Sequence, residues 1–288
     1  MLTNKIDFSV VISVTGANPN GDPLNENMPR QLFDGYGIIS DVCIKRKIRN
    51  RLQDMGEKIF VQSDERCDDS FTCLSDRFSG NSVIKSCKTA SEIYKAACSE
   101  WVDVRSFGQL FAFKSKSGKK KSDDDNSGSC SIGVRGPVSI RFAKSIDPIT
   151  VETIQITKSV NSENNDGKKS SDTMGKKHFI PFMLYVFHGS INCQLAEKTG
   201  FTDEDADKIR EAICTLFEND ESSARPSGSM EVERVYWYKH NAKYPKTSSS
   251  VIHNALKVRA KDGVNCPNSI DDYVITTGEF EDVVIEVF

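Results

Sequence analysis

The chain has 288 residues, 38% of them apolar and 27% charged, with a formal net charge of −3. That length allows one large domain or two small ones, and the apolar share suffices for a core. The slight acidity excludes a protein that coats nucleic acid with its whole surface, while leaving room for a local basic groove.

Nine cysteines, with no Cys-x-x-Cys pair, fit unpaired thiols of a reducing compartment better than a disulfide or zinc framework. Neither a signal-peptide pattern nor an apolar run of membrane-span length occurs, so a cytoplasmic protein without a membrane partner is expected.

Phe8, Val10, Ile12 and Val14 alternate with Asp7, Ser9, Ser13 and Thr15, the period of a half-buried strand. A turn-rich loop follows, Gly16-Ala17-Asn18-Pro19-Asn20-Gly21-Asp22-Pro23. Residues 40–51 then pack five cations, Lys45, Arg46, Lys47, Arg49 and Arg51, into seven positions of a strong helical pattern. Ser40 is the natural N-cap, and Asp41 suits the positive end of the helix dipole. Ile44, Ile48, Leu52 and Met55 form one face, with Arg46, Arg49 and Asn50 roughly opposite. A charge run is ordinarily a solvated face. Here acidic partners at helical spacing are sparse, and a cationic face beside a Gly/Asn-rich turn is also a way to hold phosphates. On residues alone both readings stand.

Residues 64–99 are Cys- and Ser-rich and weakly patterned, with one short helix expected over 90–97. A second ordered block opens at Trp101. Residues 114–131 run from Lys-rich to Asp-rich to Ser/Gly-rich and predict a mobile surface loop. Val138, Ile140 and Phe142 mark a strand, and 151–157 another. Residues 158–178 are polar without a core pattern, which at that length signals a functional or disordered loop. A buried strand is expected over 179–187. Thr202 caps a helix whose buried stripe is Ala206, Ile209, Ile213 and Leu216. Strands at 232–238 and 283–287 close the chain.

Without the insertions, the order is strand, helix, strand, strand, helix, strand. That is an α+β, ferredoxin-like arrangement shared with RNA-recognition modules. The aromatic RNA-reading motif of those modules is not evident on the strands. The cations of the first helix and the loops are therefore the expected binding groups, not the sheet face.

Candidates for catalysis are weak. Asp22 and Asp41 flank the basic helix as potential metal ligands, but turn chemistry explains the first and helix capping the second. His178, beside Lys176 and Lys177, is a candidate general base or phosphate contact. No phosphate-cradling Gly-rich loop or nucleophile elbow is present. Binding has better support. Met174-Gly175-Lys176-Lys177-His178 joins an apolar tip to three potential cations, a combination suited to wedging between bases while holding phosphate. A floppy loop with scattered charge is the plain alternative. Arg105 and Arg135 lie near Gly108, Gly133 and Gly136, where glycine would let backbone approach a ligand. An ordinary surface ion pair explains each arginine equally.

The segments Asn18-Pro19-Asn20-Gly21-Asp22-Pro23, Met28-Pro29-Arg30 and the helix from Ser40 resemble the backbone subunit of type I-C CRISPR surveillance (Cascade) complexes, in the RAMP superfamily. The likeness continues through Val104-Arg105-Ser106-Phe107-Gly108, Gly133-Val134-Arg135-Gly136-Pro137-Val138, Thr173-Met174-Gly175-Lys176-Lys177-His178 and Ala196-Glu197-Lys198-Thr199-Gly200-Phe201. It implies a single modified RNA-recognition palm over residues 1–288. A finger-like insertion would span 56–131, including the loop 114–131, and a thumb loop 158–178. It implies copies arranged head to tail on a CRISPR guide RNA, which each thumb kinks at regular intervals, leaving bases free to pair with target DNA.

Other complex subunits (guide-processing and large) and a recruited helicase-nuclease would be partners in a prokaryotic cytoplasm. Neither catalysis, metal nor cofactor is implied. The expected RNA contacts are Asn18, Asn20, Gly21, Arg30, Ser40, Lys45, Arg46, Arg49, Arg105, Arg135, Met174, Lys176, Lys177 and His178. Lys45, Arg46 and Arg49 would clamp phosphates, and Met174 would act as the wedge. The alternative is a metal-dependent endoribonuclease acting on RNA paired to the guide, through Asp22, Asp34 or Asp172.

Overall fold

The computed structural model describes residues 1–112, 131–157 and 174–288. Its spine is β1 (Ile6–Ala17), where the alternation in the sequence becomes two buried faces. Phe8, Val10, Ile12 and Val14 enter one core and Val11 a second, so the strand is covered on both sides. The loop that follows folds back on itself through β2 (Gly21–Asp22) and β3 (Met28–Pro29). Next, β4 (Tyr36–Ile39) leads into α1 (Asp41–Asp54). Ser40 caps that helix by accepting from the Cys43 N–H at 3.3 Å, and Asp41 occupies its first turn. Ile44, Ile48 and Leu52 are buried, with Met55 partly buried just past the helix end.

The stretch 64–99 is more ordered than its composition suggests. Here α2 (Leu74–Gly80) and α3 (Ser82–Ser86) precede α4 (Ala90–Glu100), and α5 (Val102–Phe107) follows. The first two are too short to display a helical period. Arg77 holds α2 in place, donating to Asp69, Gln62 and the Phe60 carbonyl. Together with β5 (Gln109–Phe111) and β6 (Ile132–Val134), these helices enclose a separate cluster that includes Phe60, Ile84, Trp101, Val104 and Phe111. Most of the expected loop 114–131 lies outside the described residues.

Where the insertion rejoins the sheet, two backbones cross. Gly108 has φ +82°, and a Cβ on Gly136 would lie 2.2 Å from the Ser106 carbonyl oxygen and 2.6 Å from the Gly108 nitrogen. These two glycines admit the chain's own backbone, which corrects the expectation that they make room for a ligand.

Beyond the crossing come β7 (Val138–Ile140), β8 (Ala143–Pro148), β9 (Glu152–Thr157) and β10 (Met174–Ile191). The last is longer than the strand expected over 179–187. Its first residues pair with β9, from Met174 opposite Thr157 to Phe179 opposite Glu152, and form an arm beyond the central sheet. The strand expected over 151–157 is β9, whose alternating Ile154 and Ile156 are exposed and not buried in a core. Residues 174–178 of the expected loop 158–178 are therefore strand, and 158–173 lie outside the described residues.

The remaining elements are α6 (Cys193–Thr199), α7 (Asp203–Cys214), β11 (Met230–His240), α8 (Ser249–Ala255), β12 (Lys257–Ala260), β13 (Tyr273–Thr276) and β14 (Val283–Val287). A Thr202–Asp205 capping box starts α7, whose Ala206, Ile209 and Ile213 are buried as the pattern requires.

The main sheet runs β14-β11-β1-β10-β8-β4 with antiparallel neighbours. Residues of α1 and α7 share one core with Phe8, Phe187 and Trp237. On the other face, Val11, Leu184, Tyr236 and Tyr238 meet Ile252 of α8 and Tyr273 of β13. The result is a mixed α/β structure built on an antiparallel sheet. Among the described residues the cysteines are free thiols, and no helix is long and apolar enough to cross a membrane.

Candidate nucleic-acid interface

Every one of the α1 cations has a partner within the chain. Lys45 pairs with Asp41 at 3.2 Å, and Arg46 donates to the Val61 carbonyl at 2.6 Å. Lys47 pairs with Asp220, Arg49 with Asp103 at 2.9 Å, and Arg51 with Glu218 at 2.7 Å. The acidic partners looked sparse because helical spacing reveals only local ones, whereas Asp103, Glu218 and Asp220 arrive from distant elements. Lys47 is only 4% exposed, and burial pushes its ammonium below the ordinary lysine range despite the attraction of Asp220. Burial, reinforced by neighbouring Arg49, also lowers the Arg46 guanidinium.

Two of the expected RNA contacts, Arg49 and Arg105, form ion pairs between elements. Asp103, 1% exposed, accepts from the Phe60 and Val61 N–H groups at 2.8 and 3.1 Å as well as from Arg49. The Arg49 guanidinium also lies 5.0 Å from the Phe107 ring centroid. It thereby fastens α1 to the insertion. Arg105 grips Asp205 through Nε at 3.1 Å and Nη2 at 2.7 Å, joining α5 to α7. Burial raises the Asp205 carboxyl, but Arg105 and the Thr202 donors bring it below the usual carboxylate range.

The turn after β1 is organised by its own amides. Asn18 is buried and donates to the Asn27 carbonyl at 2.7 Å, while its Oδ1 is buried without a partner among the described residues. Asn20 Oδ1 accepts from the Ser40 N–H at 3.0 Å, and its carbonyl accepts from the Arg30 N–H at 3.0 Å. This fastens the turn to the start of α1. A Cβ on Gly21 would lie 2.0 Å from Oδ1 of the exposed Asn27 side chain, which would have to move aside. Arg30 stands 3.5 Å from Asp22, whose Oδ1 also accepts from the Leu24 N–H at 3.2 Å.

The arm meets the same turn. Lys176 reaches Glu26 at 2.9 Å, and that contact holds the Glu26 carboxyl below its ordinary range. His178 is buried with Nδ1 2.8 Å from Thr153 Oγ1, and its Nε2 has no partner among the described residues. A cleft of about 590 Å³ separates turn from arm, lined by Glu26, Thr153, Gln155, Gly175, Lys176 and His178. On the arm's other side Ile154 and Ile156 are exposed. Lys177 is half-buried, Arg135 is exposed on the loop after β6, and no side-chain partner is found for either among the described residues. For Met174 the backbone pairing with Thr157 is defined.

The structure thus gathers Asn18, Asn20, Gly21, Arg30, Ser40, Lys176 and His178 around one turn, with Lys45 one helical turn into α1. It sets Arg49 and Arg105 apart in the joints of the insertion. Sequence reasoning missed Glu26, Thr153 and Gln155; the only signal was the alternation of Thr153 and Gln155 with Ile154 and Ile156. Of the aspartates considered as metal ligands, Asp22 and Asp34 serve turns, the latter accepting from Tyr36 N–H at 3.3 Å and Lys144 at 3.2 Å. Asp172 lies outside the described residues. Among the described residues no three His, Cys, Asp or Glu side chains group as metal ligands.

An antiparallel sheet with α1 and α7 on one face, a helical insertion and a projecting hairpin define a fold also present in a solved structure described as "CRISPR RNA-guided surveillance complex, pre-nicking". The match has a TM-score of 0.52 and 16% identity, covering 91% of this chain and 84% of that one. A curated relative, the CRISPR-associated protein Cas7 of Haloferax volcanii, is 26% identical over 239 residues, 81% of this chain and 69% of that protein. The profile of the CRISPR-associated protein Cas7 family matches residues 4–278, and the chain belongs to that family.

Proposed function

We propose that the chain is a guide-RNA-binding backbone subunit of a CRISPR surveillance complex of type I-C, with no catalytic step of its own. Family membership supports the role. The observation that carries the RNA route is the junction of the turn, the capped start of α1 and the arm. There Arg30, Lys45 and Lys176 are neutralised by partly exposed carboxylates, Asp22, Asp41 and Glu26. Such pairs contribute little to stability, so a phosphate can displace the carboxylates at small cost. Lys177, Arg46 and Arg135 extend the cationic set.

Asn18, Asn20, Gly21 and Ser40 shape the turn, and His178 fixes the arm to β9. Arg49 and Arg105 act by holding the insertion in place. The arm belongs to the thumb proposed over 158–178, with Met174 at the edge of its described part, and the insertion 56–131 is the finger. The sheet order β11-β1-β10-β8 under α1 and α7 supports a ferredoxin-like palm. Copies follow one another along the guide, kinking it so that its free bases pair with target DNA. Specificity then resides in base pairing. The guide-processing and large subunits and a recruited helicase-nuclease complete the set of partners.

The test is co-expression with a guide array and the sister subunits, comparing the native chain with Arg30→Glu/Lys45→Glu/Lys176→Glu. The variant should fold and lose guide RNA from the purified complex. A full complement of RNA in that variant would overturn the assigned route.

A further inference from the structure

The sheet face away from α1 and α7 is only partly covered. The apolar cover from α8 and the β12–β13 hairpin meets Val11, Tyr236 and Tyr238 of β1 and β11. Beside it, on β10, β8 and β4, a cleft of about 440 Å³ remains. Strand register sets its floor: Val186 lies opposite Lys144, so Lys144, Val186 and His188 project to one side. Arg141 and Lys257 stand over them, both exposed, and no side-chain partner is found for either among the described residues. Phe142, 44% exposed, offers an aromatic face.

The charge of this cleft is one-sided. No carboxylate lines it, whereas Asp64 and Asp69 line the cleft beside α2, and Glu197, Glu204 and Asp205 the one between α4 and α7. Asp34 faces it only through Lys144, whose ammonium also sits 3.9 Å from the Tyr36 ring centroid. Burial, together with His253 and Arg141, holds the His188 imidazole down at about 3, so it stays uncharged beside the cations. Two cations without a side-chain partner, an exposed ring and no competing carboxylate, all among the described residues, match the chemistry of a nucleotide: phosphate for the charges and a base for the ring.

We propose that this cleft binds a nucleotide unit of a single-stranded nucleic acid, with Arg141 and Lys257 on its phosphate and Phe142 against its base. It uses none of the residues of the turn-and-arm surface, so it stands or falls apart from the guide-binding reading.

The test uses the full chain, labelled oligouridylate and oligothymidylate, and fluorescence anisotropy across about 50–200 mM salt. Each phosphate contact on a single strand contributes about 0.7 to the slope of log affinity against log salt. Arg141→Gln/Lys257→Gln, which empties that one phosphate contact, should therefore lower the slope by about 0.7 and weaken binding about 5-fold near 0.1 M salt. Phe142→Ala should weaken binding and leave the slope unchanged. Both cations are exposed and have no side-chain partner among the described residues, so the thermal midpoint should not move. A response with uridylate marks an RNA strand, one with thymidylate a DNA strand, and both a backbone site. Native affinity and slope in the double variant with both probes would overturn the proposal, as would a wild-type chain that binds neither. A loss confined to Lys45→Ala/Lys176→Ala would overturn the cleft and leave the guide surface standing.

Discussion

Arg49→Ala should behave as a stability variant, not a binding one. The substitution leaves the buried Asp103 carboxylate with its two backbone donors but without its cation. A hydrogen bond to a charged group contributes about 1.5–3 kcal/mol. The guanidinium over Phe107 adds about 0.5–1 kcal/mol. The expected loss is thus about 2–4 kcal/mol, a drop of about 3–7 °C in thermal midpoint for a chain of this size. Lys45→Ala removes only a partly exposed pair one helical turn long and should cost less than about 0.5 kcal/mol. Differential scanning fluorimetry on Arg49→Ala, Asp103→Asn and the double variant isolates the coupling between the two side chains. Binding to RNA should persist in Arg49→Ala at temperatures where it stays folded. A native thermal midpoint combined with lost RNA affinity would refute the joint and return Arg49 to the phosphate contacts.

Other consequences concern pH, the backbone crossing and the arm. His188 has its folded pKa held at about 3 against an ordinary 6.5, so the unfolded chain takes up the proton first. Its contribution is intact above about pH 6.5 and shrinks as pH falls towards 3, by about 2 kcal/mol at pH 5. Urea unfolding at pH 5 and 7.5 should show that loss, reduced in His188→Gln; an equal loss in both chains would count against it. Gly136→Ala forces a methyl group into the Ser106 and Gly108 backbones and should give little soluble protein, whereas Gly133→Ala, where Leu110 at 3.9 Å is the near neighbour, should fold. Lys176→Ala/Lys177→Ala should cut guide retention while leaving the thermal midpoint within about 1 °C, because exposed charges add little to stability; retained guide would remove the arm from the RNA path.

The strands and helices that face a core were legible because their periodicity is a direct imprint of burial. Phe8 to Val14, Ile44 to Leu52 and Ala206 to Ile213 fall where the pattern places them. The arm was legible only on its β9 side, as the strand expected over 151–157; the start of β10, with no apolar floor, was not. Nor were α2 and α3, whose few residues are organised around Arg77 and not around a hydrophobic stripe. In the site, Ser40 was readable as a cap and Asn20 as a turn residue, because both act on nearby backbone. The partners of Arg49, Lys47 and Arg105 were not, because each ion pair joins elements that only the fold brings together. Gly108 and Gly136 show the same limit: the sequence marks a close approach, and only the structure identifies what approaches.

The most direct measurement is to co-express the chain with a guide array and its sister subunits, purify the assembly, and digest it with nuclease. If the chain is the guide-coating backbone, RNA co-purifies and is protected in regular steps that vanish when this chain is omitted. An assembly that protects the guide equally well without the chain, or that contains the chain and no RNA, would contradict that role.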